Sequence, residues 1–211
     1  MKALEEKLAR ALAGPLPGAD GQLRMAPRPR TGWRPGEWPD DSRHGGGLLL
    51  VYPGGGAPHV LLTLRDSGLA QHAGQVSLPG GAVENEESFA EAALREAAEE
   101  VGLDRSGVRL LGELSPLHVP VSGFVIHPWA AVTHRRPGFT PDRREVARIL
   151  EVPLEDFRDP SRQRLERRMG EGGRFEIPYF DVDGERVWGA TAMILSEFLC
   201  LLGTPPEPRE D

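Results

Sequence analysis

Glutamates are concentrated in residues 81–103, which read GAVENEESFAEAALREAAEEVGL. On a helix, Glu96, Glu99 and Glu100 are spaced i, i+3 and i+4, so their side chains become neighbours on one face. Carboxylates this close repel one another, and near the C-terminal end of a helix they also oppose its dipole. The spacing therefore allows two interpretations, a solvated acidic face or a site for a cation.

A glycine-rich turn, LPGG at residues 78–81, directly precedes the helical part of this segment. Such a turn can expose backbone carbonyl and amide groups beside the helix. Carboxylates together with a carbonyl form an all-oxygen ligand set, which suits Mg²⁺ or Mn²⁺ better than zinc. The cation interpretation thus has a defined chemistry, while a solvated face stays the alternative from the helix alone.

Residues 88–101 have the pattern of an amphipathic helix. Ser88 with Glu91 predicts a capping box, and Gly102 predicts the C-terminal stop. We expect the core-facing stripe to consist of Ala90, Leu94, Ala97, Ala98 and Val101, with the glutamates on the other side. Small alanines would let this helix lie close to a sheet.

Composition indicates an ordinary globular protein, with 211 residues, 39% hydrophobic and 27% charged. No apolar run reaches the roughly 20 residues of a membrane span, and the charged opening helix is unlike a signal peptide. Cys200 is the single cysteine, so no internal disulfide exists. We therefore expect a cytoplasmic protein without a membrane partner. The net charge of −7 argues against general nucleic-acid binding but not against small phosphorylated ligands.

Four segments follow from the changes in composition. We expect an N-terminal helix over residues 1–25, a Pro/Arg-rich arm or linker over 26–47, the main domain over 48–203 and a tail over 204–211. The arm allows two interpretations, a surface loop or a segment that packs on a partner subunit with Trp33 or Trp38 as its anchor.

The main domain alternates strand-like and helical segments. Residues 48–53 and 59–65 predict a hairpin, and a second hairpin is expected around Asp183 and Gly184. Residues 144–157 predict a helical opening followed by an extended, proline-marked tail. Further strand-like segments are residues 75–81, 108–114 and 124–134, and residues 190–202 predict a closing helix. Prominent hairpins among interleaved helices favour a mixed sheet with helices on its faces.

The glutamate segment also resembles the 23-residue signature of the Nudix hydrolases. That signature runs G, five residues, E, seven residues, REU, one residue, EE, one residue, GU, where U is a bulky aliphatic residue. It is matched by Gly81, Glu87, Arg95, Glu96, Ala97, Glu99, Glu100, Gly102 and Leu103. The one soft departure is Ala97, which is smaller than usual.

The resemblance implies a Nudix-type α/β/α sandwich that hydrolyses a diphosphate with the help of Mg²⁺ or Mn²⁺. It implies that Glu96, Glu99 and Glu100 are metal ligands, with the carbonyl of Gly80 as a further oxygen. Glu87 and Arg95 would form an ion pair that braces the loop against the helix. The general base stays open among Glu99, Glu100 and Glu145. A homodimer is compatible with the resemblance.

The flanking residues 61–81, LLTLRDSGLAQHAGQVSLPGG, resemble the extra motif of the coenzyme A pyrophosphatase subgroup. This implies hydrolysis of coenzyme A to 3′,5′-ADP and 4′-phosphopantetheine. The substrate-binding candidates are Arg65, Gln75, Gly80, Gly81 and, lining the cleft, Phe124. The alternatives without a role in substrate binding are a solvated Arg65, a turn-capping Gln75 and a core contact for Phe124. Departures from the motif are Leu64, Ala70 and Leu78.

Two rival functions stay open. One is hydrolysis of another nucleoside diphosphate derivative, such as ADP-ribose or a dinucleotide. The other is a ligand-sensing module without catalysis, against which the complete set of signature glutamates argues.

Overall fold

The computed structural model describes residues 1–30, 33–68, 72–170 and 173–210. Its helices are α1 (Lys2–Leu12), α2 (Gly18–Gln22), α3 (Phe89–Val101), α4 (Leu154–Arg158) and α5 (Gly189–Leu201). Short 3₁₀ turns occupy Leu23–Met25, Arg105–Gly107 and Pro160–Arg162. No helix in the described part of the chain combines the length and the apolar character that crossing a membrane would need.

The larger sheet contains eight strands and carries the glutamate helix. Its strands are β1 (Arg43–Gly54), β2 (Ala57–Arg65), β3 (Val76–Ser77), β4 (Gly80–Ala82), β5 (Arg109–Glu113), β6 (Leu117–Val119), β7 (Phe124–Val132) and β8 (Val146–Pro153). β1 runs parallel to β7 and antiparallel to β2 and β4. The predicted mixed sheet is therefore confirmed.

A second sheet of four strands packs beside α5. It consists of β9 (Gln163–Gly170), β10 (Gly173–Val182), β11 (Glu185–Trp188) and β12 (Arg209–Glu210), in the order β11-β10-β9-β12. The turn between β10 and β11 uses Asp183 and Gly184, both with positive φ, as a two-residue hairpin requires. Both predicted hairpins and the closing helix are confirmed.

The two faces of the larger sheet bury different clusters, which gives the sandwich. On β1, alternate residues point to opposite faces. Leu48 and Leu50 pack with Ala93 and Ala97 of α3, whereas Leu49 belongs to the larger core that contains α5. Helices therefore cover both faces, as the resemblance implied.

Helix α3 lies unusually close to β1 because a glycine faces it. A Cβ added at Gly46 would come closer than 3.0 Å to the Phe89 carbonyl oxygen and to the Ala93 amide nitrogen. Ser88 and Glu91 form the predicted capping box, and Gly102 ends the helix with a φ of 66°. These local expectations are confirmed because they depend only on residues near each helix end.

The N-terminal segment is more divided and more tightly packed than the expected single helix over residues 1–25. It forms α1, α2 and a 3₁₀ turn, since Pro15, Pro17 and two glycines interrupt the helical stretch. Leu8 and Met25 are buried in the same core as α5.

A buried carboxylate of α5 binds this N-terminal segment through hydrogen bonds. Glu197 of α5 accepts hydrogen bonds from the backbone N–H of Gly18 (3.1 Å), the side chain of Gln22 (3.0 Å) and the backbone N–H of Ser115 (3.2 Å). Burial raises the pKa of Glu197, and these three donors oppose that rise.

Two boundaries differ from expectation. Strand β1 begins at Arg43, so the last five residues of the predicted arm, 43–47, lie in the sheet. Residues 144–157 have the reverse of the predicted order, with β8 first and α4 after Pro153. Pairing of β8 with β2 overrides the local helical pattern, and Pro153 both ends the strand and occupies the N-cap position of α4.

Candidate active site

Strand β4 brings the glycine-rich turn against α3. Its residues pair with β1 through Gly45↔Ala82, Gly46↔Gly81 and Gly47↔Gly80. A Cβ added at Gly81 would come closer than 3.0 Å to the Glu96 carboxylate. The backbone of Gly81 therefore lies against the side chain of Glu96, and a larger residue at this position would displace that carboxylate.

Glu100 is the most deeply buried of the signature glutamates, with 3% of its side chain exposed. The expectation that it lies away from the core was wrong, since it is buried together with Ala97 and Val101. Its Oε1 lies 3.5 Å from Nη1 of Arg65, at the end of β2. Its Oε2 has no hydrogen-bond partner in the structure.

The environment of Glu100 disfavours its charge. Burial raises the pKa of Glu100 to about 8, and the charges of Glu96 and Glu145 contribute to the rise, while Arg65 and the Gly80 amide oppose it. The pKa of Glu96 is also raised, first by burial. The structure thus gathers carboxyl groups in an environment that disfavours their charged form.

The other two predicted carboxylates lie at the edge of this group. Glu99 is 61% exposed. Glu145 is exposed in the turn before β8, where its carbonyl accepts from the Asp66 amide at 2.8 Å. Its charge acts on both Glu96 and Glu100. The structure therefore brings Glu145 near the helix from a segment about 45 residues further along the chain.

The predicted ion pair of Glu87 and Arg95 is present. Arg95 Nη2 lies 2.8 Å from Glu87 Oε1 and donates to the Ala82 carbonyl at 2.9 Å. The same guanidinium lies 3.0 Å from Glu96 Oε1 and 3.2 Å from Glu99 Oε2. Arg95 therefore joins the β4–α3 loop to the helix and also holds two of the three candidate metal ligands.

The carboxylate cluster matches a divalent cation in its chemistry, although its side chains are not arranged around one. Within residues 1–30, 33–68, 72–170 and 173–210, no group of three or more His, Cys, Asp or Glu side chains is arranged to hold a metal ion. The chemistry of the donors nevertheless fits one, because Glu100 Oε2 is buried and unpartnered among other carboxylates. Release of Glu96 and Glu99 from Arg95 would complete an all-oxygen set.

Arg65 and Gln75 lie together at the base of the loop between β2 and β3. The Arg65 amide donates to the Gln75 carbonyl at 3.0 Å, and the Gly74 amide donates to the Arg65 carbonyl at 3.2 Å. The Gln75 side chain is 3.0 Å from His72 Nδ1, which matches the turn-capping alternative. Ala70 lies outside the described residues.

Phe124 begins β7 on the face of the sheet opposite α3. Its ring and the Gly81 carbonyl both approach the point where a Cβ of Gly45 would stand. The guanidinium of Arg43 lies 4.4 Å from the Phe124 ring centroid. Phe124 is therefore next to the β4 backbone, with a cation stacked on its ring.

Sequence reasoning missed a histidine pair beside the start of α3. His44 Nδ1 lies 3.0 Å from His127 Nε2, and His127 Nδ1 lies 2.8 Å from Glu113 Oε1. The Phe89 ring stacks on His127 with centroids 3.5 Å apart. Burial lowers the pKa of His127. No sequence signal could have found this group, because its members come from four separate elements.

Comparisons with known proteins agree with this geometry. Residues 43–170 match the NUDIX domain. The chain is 36% identical over 162 residues to Nudix hydrolase NudL of Pectobacterium atrosepticum, covering 75% of this chain and 81% of that protein. It is 31% identical over 179 residues to NudL of Photorhabdus laumondii, covering 83% and 90%. A MutT/nudix family protein of Enterococcus faecalis shares the fold with a TM-score of 0.51 and 18% identity, covering 81% and 68%. The chain therefore belongs to the Nudix hydrolase family.

Proposed function

We propose that this chain hydrolyses the diphosphate bond of coenzyme A or one of its derivatives, with Mg²⁺ or Mn²⁺. The products would be 3′,5′-ADP and 4′-phosphopantetheine or its acyl form. The observation that carries the reaction type is the position of Glu96 and Glu100 beside the Gly80–Gly81 backbone, with the charge of Glu145 acting on both carboxyls. The choice of coenzyme A is supported by residues 61–81, which resemble the subgroup motif.

Glu96, Glu99, Glu100 and the Gly80 carbonyl would hold the cation. When bound, it supplies Lewis-acid polarisation of the phosphate oxygens and offsets their charge. The residues of the chain then supply position. Arg65 stands 3.5 Å from Glu100 with 23% of its side chain exposed, so its guanidinium can reach a phosphate oxygen.

The proton acceptor is proposed among Glu99, Glu100 and Glu145. Glu100 is the buried member, and its raised pKa of about 8 keeps it protonated at neutral pH in the cation-free protein, which disfavours it as the acceptor in that form. Glu145 comes from a separate turn and is exposed, so it can reach water at the mouth of the site. Gly80 and Gly81 would present backbone groups to the substrate, with Gln75 and Phe124 as its flanking contacts.

Product analysis after incubation with Mg²⁺ tests the proposal. We expect 3′,5′-ADP and 4′-phosphopantetheine from coenzyme A, with a higher kcat/KM than for ADP-ribose or a dinucleotide. Glu100→Gln should reduce kcat by at least about a hundredfold, because one charged ligand is lost at constant shape. Glu84→Gln, on the exposed loop before α3, is the matched control. Equal rates on coenzyme A and ADP-ribose would refute the subgroup assignment, and full activity of Glu100→Gln would refute the metal site.

The cellular setting follows from the same proposal. A cytoplasmic location is proposed from the single cysteine, Cys200, and a homodimer from the family resemblance. The partner is a small diphosphate compound rather than a nucleic acid, in keeping with the net charge of −7.

A further inference from the structure

A groove opens between the arm and strand β6. It has a volume of about 410 Å³ and is lined by Trp33, Arg34, Glu37, Trp38, Pro39 and His118. We call it the tryptophan groove. This volume falls within the roughly 300–1,000 Å³ that small-molecule sites occupy. None of these six residues belongs to the candidate active site described above.

Both indoles are held in place by contacts within the chain. The Arg30 guanidinium lies 4.7 Å from the Trp33 ring centroid and donates to the His118 carbonyl at 3.1 Å. The Trp38 ring meets His44 edge-on, with centroids 6.1 Å apart. Because the aromatic walls are already ordered, a ligand would lose little entropy in fixing them.

The lining favours a flat ring with polar edges. The described lining residues contain two indoles, an imidazole and a proline ring but no Leu, Ile, Val or Met side chain. An indole can stack on any nucleic-acid base, because every base has a planar π-face. Glu37 can accept a hydrogen bond from an exocyclic amine, since its contact with Arg34, at 3.6 Å, is exposed and weak. An acyl chain would find no matching aliphatic wall.

The groove is linked to strand β4 through a short series of contacts. Trp38 contacts His44, and the His44 carbonyl accepts from the Val83 amide at 3.1 Å. Val83 directly follows β4, whose Gly81 touches Glu96. A substrate with its diphosphate at β4 could therefore extend one end toward the groove.

We propose that the tryptophan groove binds the purine base of the nucleotide half of the diphosphate substrate. This inference rests on the proposed function, because it takes the nucleotide to be part of the hydrolysed compound. Trp33 and Trp38 are the stacking residues, and Glu37 accepts from the amino group of the base.

Binding of AMP and of ribose 5-phosphate, measured by isothermal titration calorimetry, tests this proposal. The two probes share sugar and phosphate and differ in the base, and neither contains a diphosphate, so the result does not depend on hydrolysis. We expect AMP to bind wild type at least tenfold more tightly than ribose 5-phosphate. Trp38→Ala should weaken AMP binding about tenfold and leave ribose 5-phosphate unchanged, whereas Trp38→Phe should retain most of the AMP affinity.

Trp188→Ala serves as the control, because Trp188 is an exposed tryptophan on β11 outside the groove. Its AMP affinity should equal that of wild type. The proposal is overturned if AMP binds no tighter than ribose 5-phosphate, or if Trp38→Ala keeps the wild-type AMP affinity. It is also overturned if Trp38→Ala changes the sedimentation coefficient without changing AMP binding, since the groove would then be a subunit interface. Failure of coenzyme A hydrolysis with these binding results intact would refute only the proposed function.

Discussion

Replacement of Glu100 by glutamine should stabilise the cation-free protein at high pH. Burial raises the pKa of Glu100 from 4.5 to about 8. Between these two values the native state keeps a proton that the unfolded chain releases, so the free energy of unfolding falls as pH rises through this window. A pKa difference of this size corresponds to at most about 5 kcal/mol. Glutamine has the same shape and cannot ionise, so the variant avoids this loss.

The expected net effect is smaller than the limit. The Arg65 charge is already part of this pKa, but glutamine leaves a buried amide group without a hydrogen-bond partner at the position of Oε2, which costs about 1–2 kcal/mol. We therefore expect Glu100→Gln to unfold with a free energy about 2–4 kcal/mol higher than wild type at pH 9. At pH 5 the advantage should shrink to about 1 kcal/mol or less, since Glu100 is then still protonated in the native state. The corresponding Tm increase at pH 9 is roughly 5–15 °C.

Urea unfolding in EDTA at pH 5, 7 and 9, with m-values compared, measures this effect. Glu99→Gln is the matched control, because Glu99 is 61% exposed and its replacement should change stability by less than about 1 kcal/mol at every pH. A Glu100→Gln variant that is no more stable than wild type at pH 9 would contradict the raised pKa of Glu100. An equal advantage at pH 5 and pH 9 would contradict it as well.

Three further predictions follow from the same geometry. Gly46→Ala should destabilise the protein by about 3 kcal/mol, because the added Cβ would meet the α3 backbone. Gly107→Ala is the control, since the space around Gly107 is open and no such contact arises. Equal Tm values for the two variants would contradict this. Mg²⁺ at a hundredfold excess over its Kd should raise the free energy of unfolding of wild type by about 2.7 kcal/mol, with a matching rise in Tm, and should leave the Tm of Glu100→Gln unchanged. An equal rise in Tm for both proteins would place the ion elsewhere. Arg65→Ala should raise KM for coenzyme A about tenfold with a smaller fall in kcat, as a lost phosphate contact does, and an unchanged KM in steady-state kinetics would exclude that contact.

Local features of the glutamate segment could be predicted from the sequence because neighbouring residues determine them. The capping box of Ser88 and Glu91 and the stop at Gly102 involve residues within one helical turn of each helix end. The pair of Glu87 and Arg95 follows from the family signature, and the structure contains it. The mixed sheet followed from hairpins interleaved with helices.

Other expectations failed where contacts with distant strands determine the burial or the secondary structure of a residue. Helical periodicity shows which glutamates are neighbours but not what covers them. It therefore placed Glu100 on the side away from the core, whereas the Gly80 backbone of β4 and Arg65 of β2 enclose it. The expected order of residues 144–157 failed in the same way, because pairing with β2 imposes the extended form on β8.

The sequence alone determined which residue types stand at which spacing, and with them the family and the reaction class. Tertiary structure alone decided the environment of each carboxylate, since burial depends on strands far apart in the chain. It placed Glu145 near Glu96 and Glu100, paired His44 with His127, and set Trp33 and Trp38 around one groove. The physical reason is that spacing is a local property, whereas desolvation and charge proximity arise only when distant segments pack together.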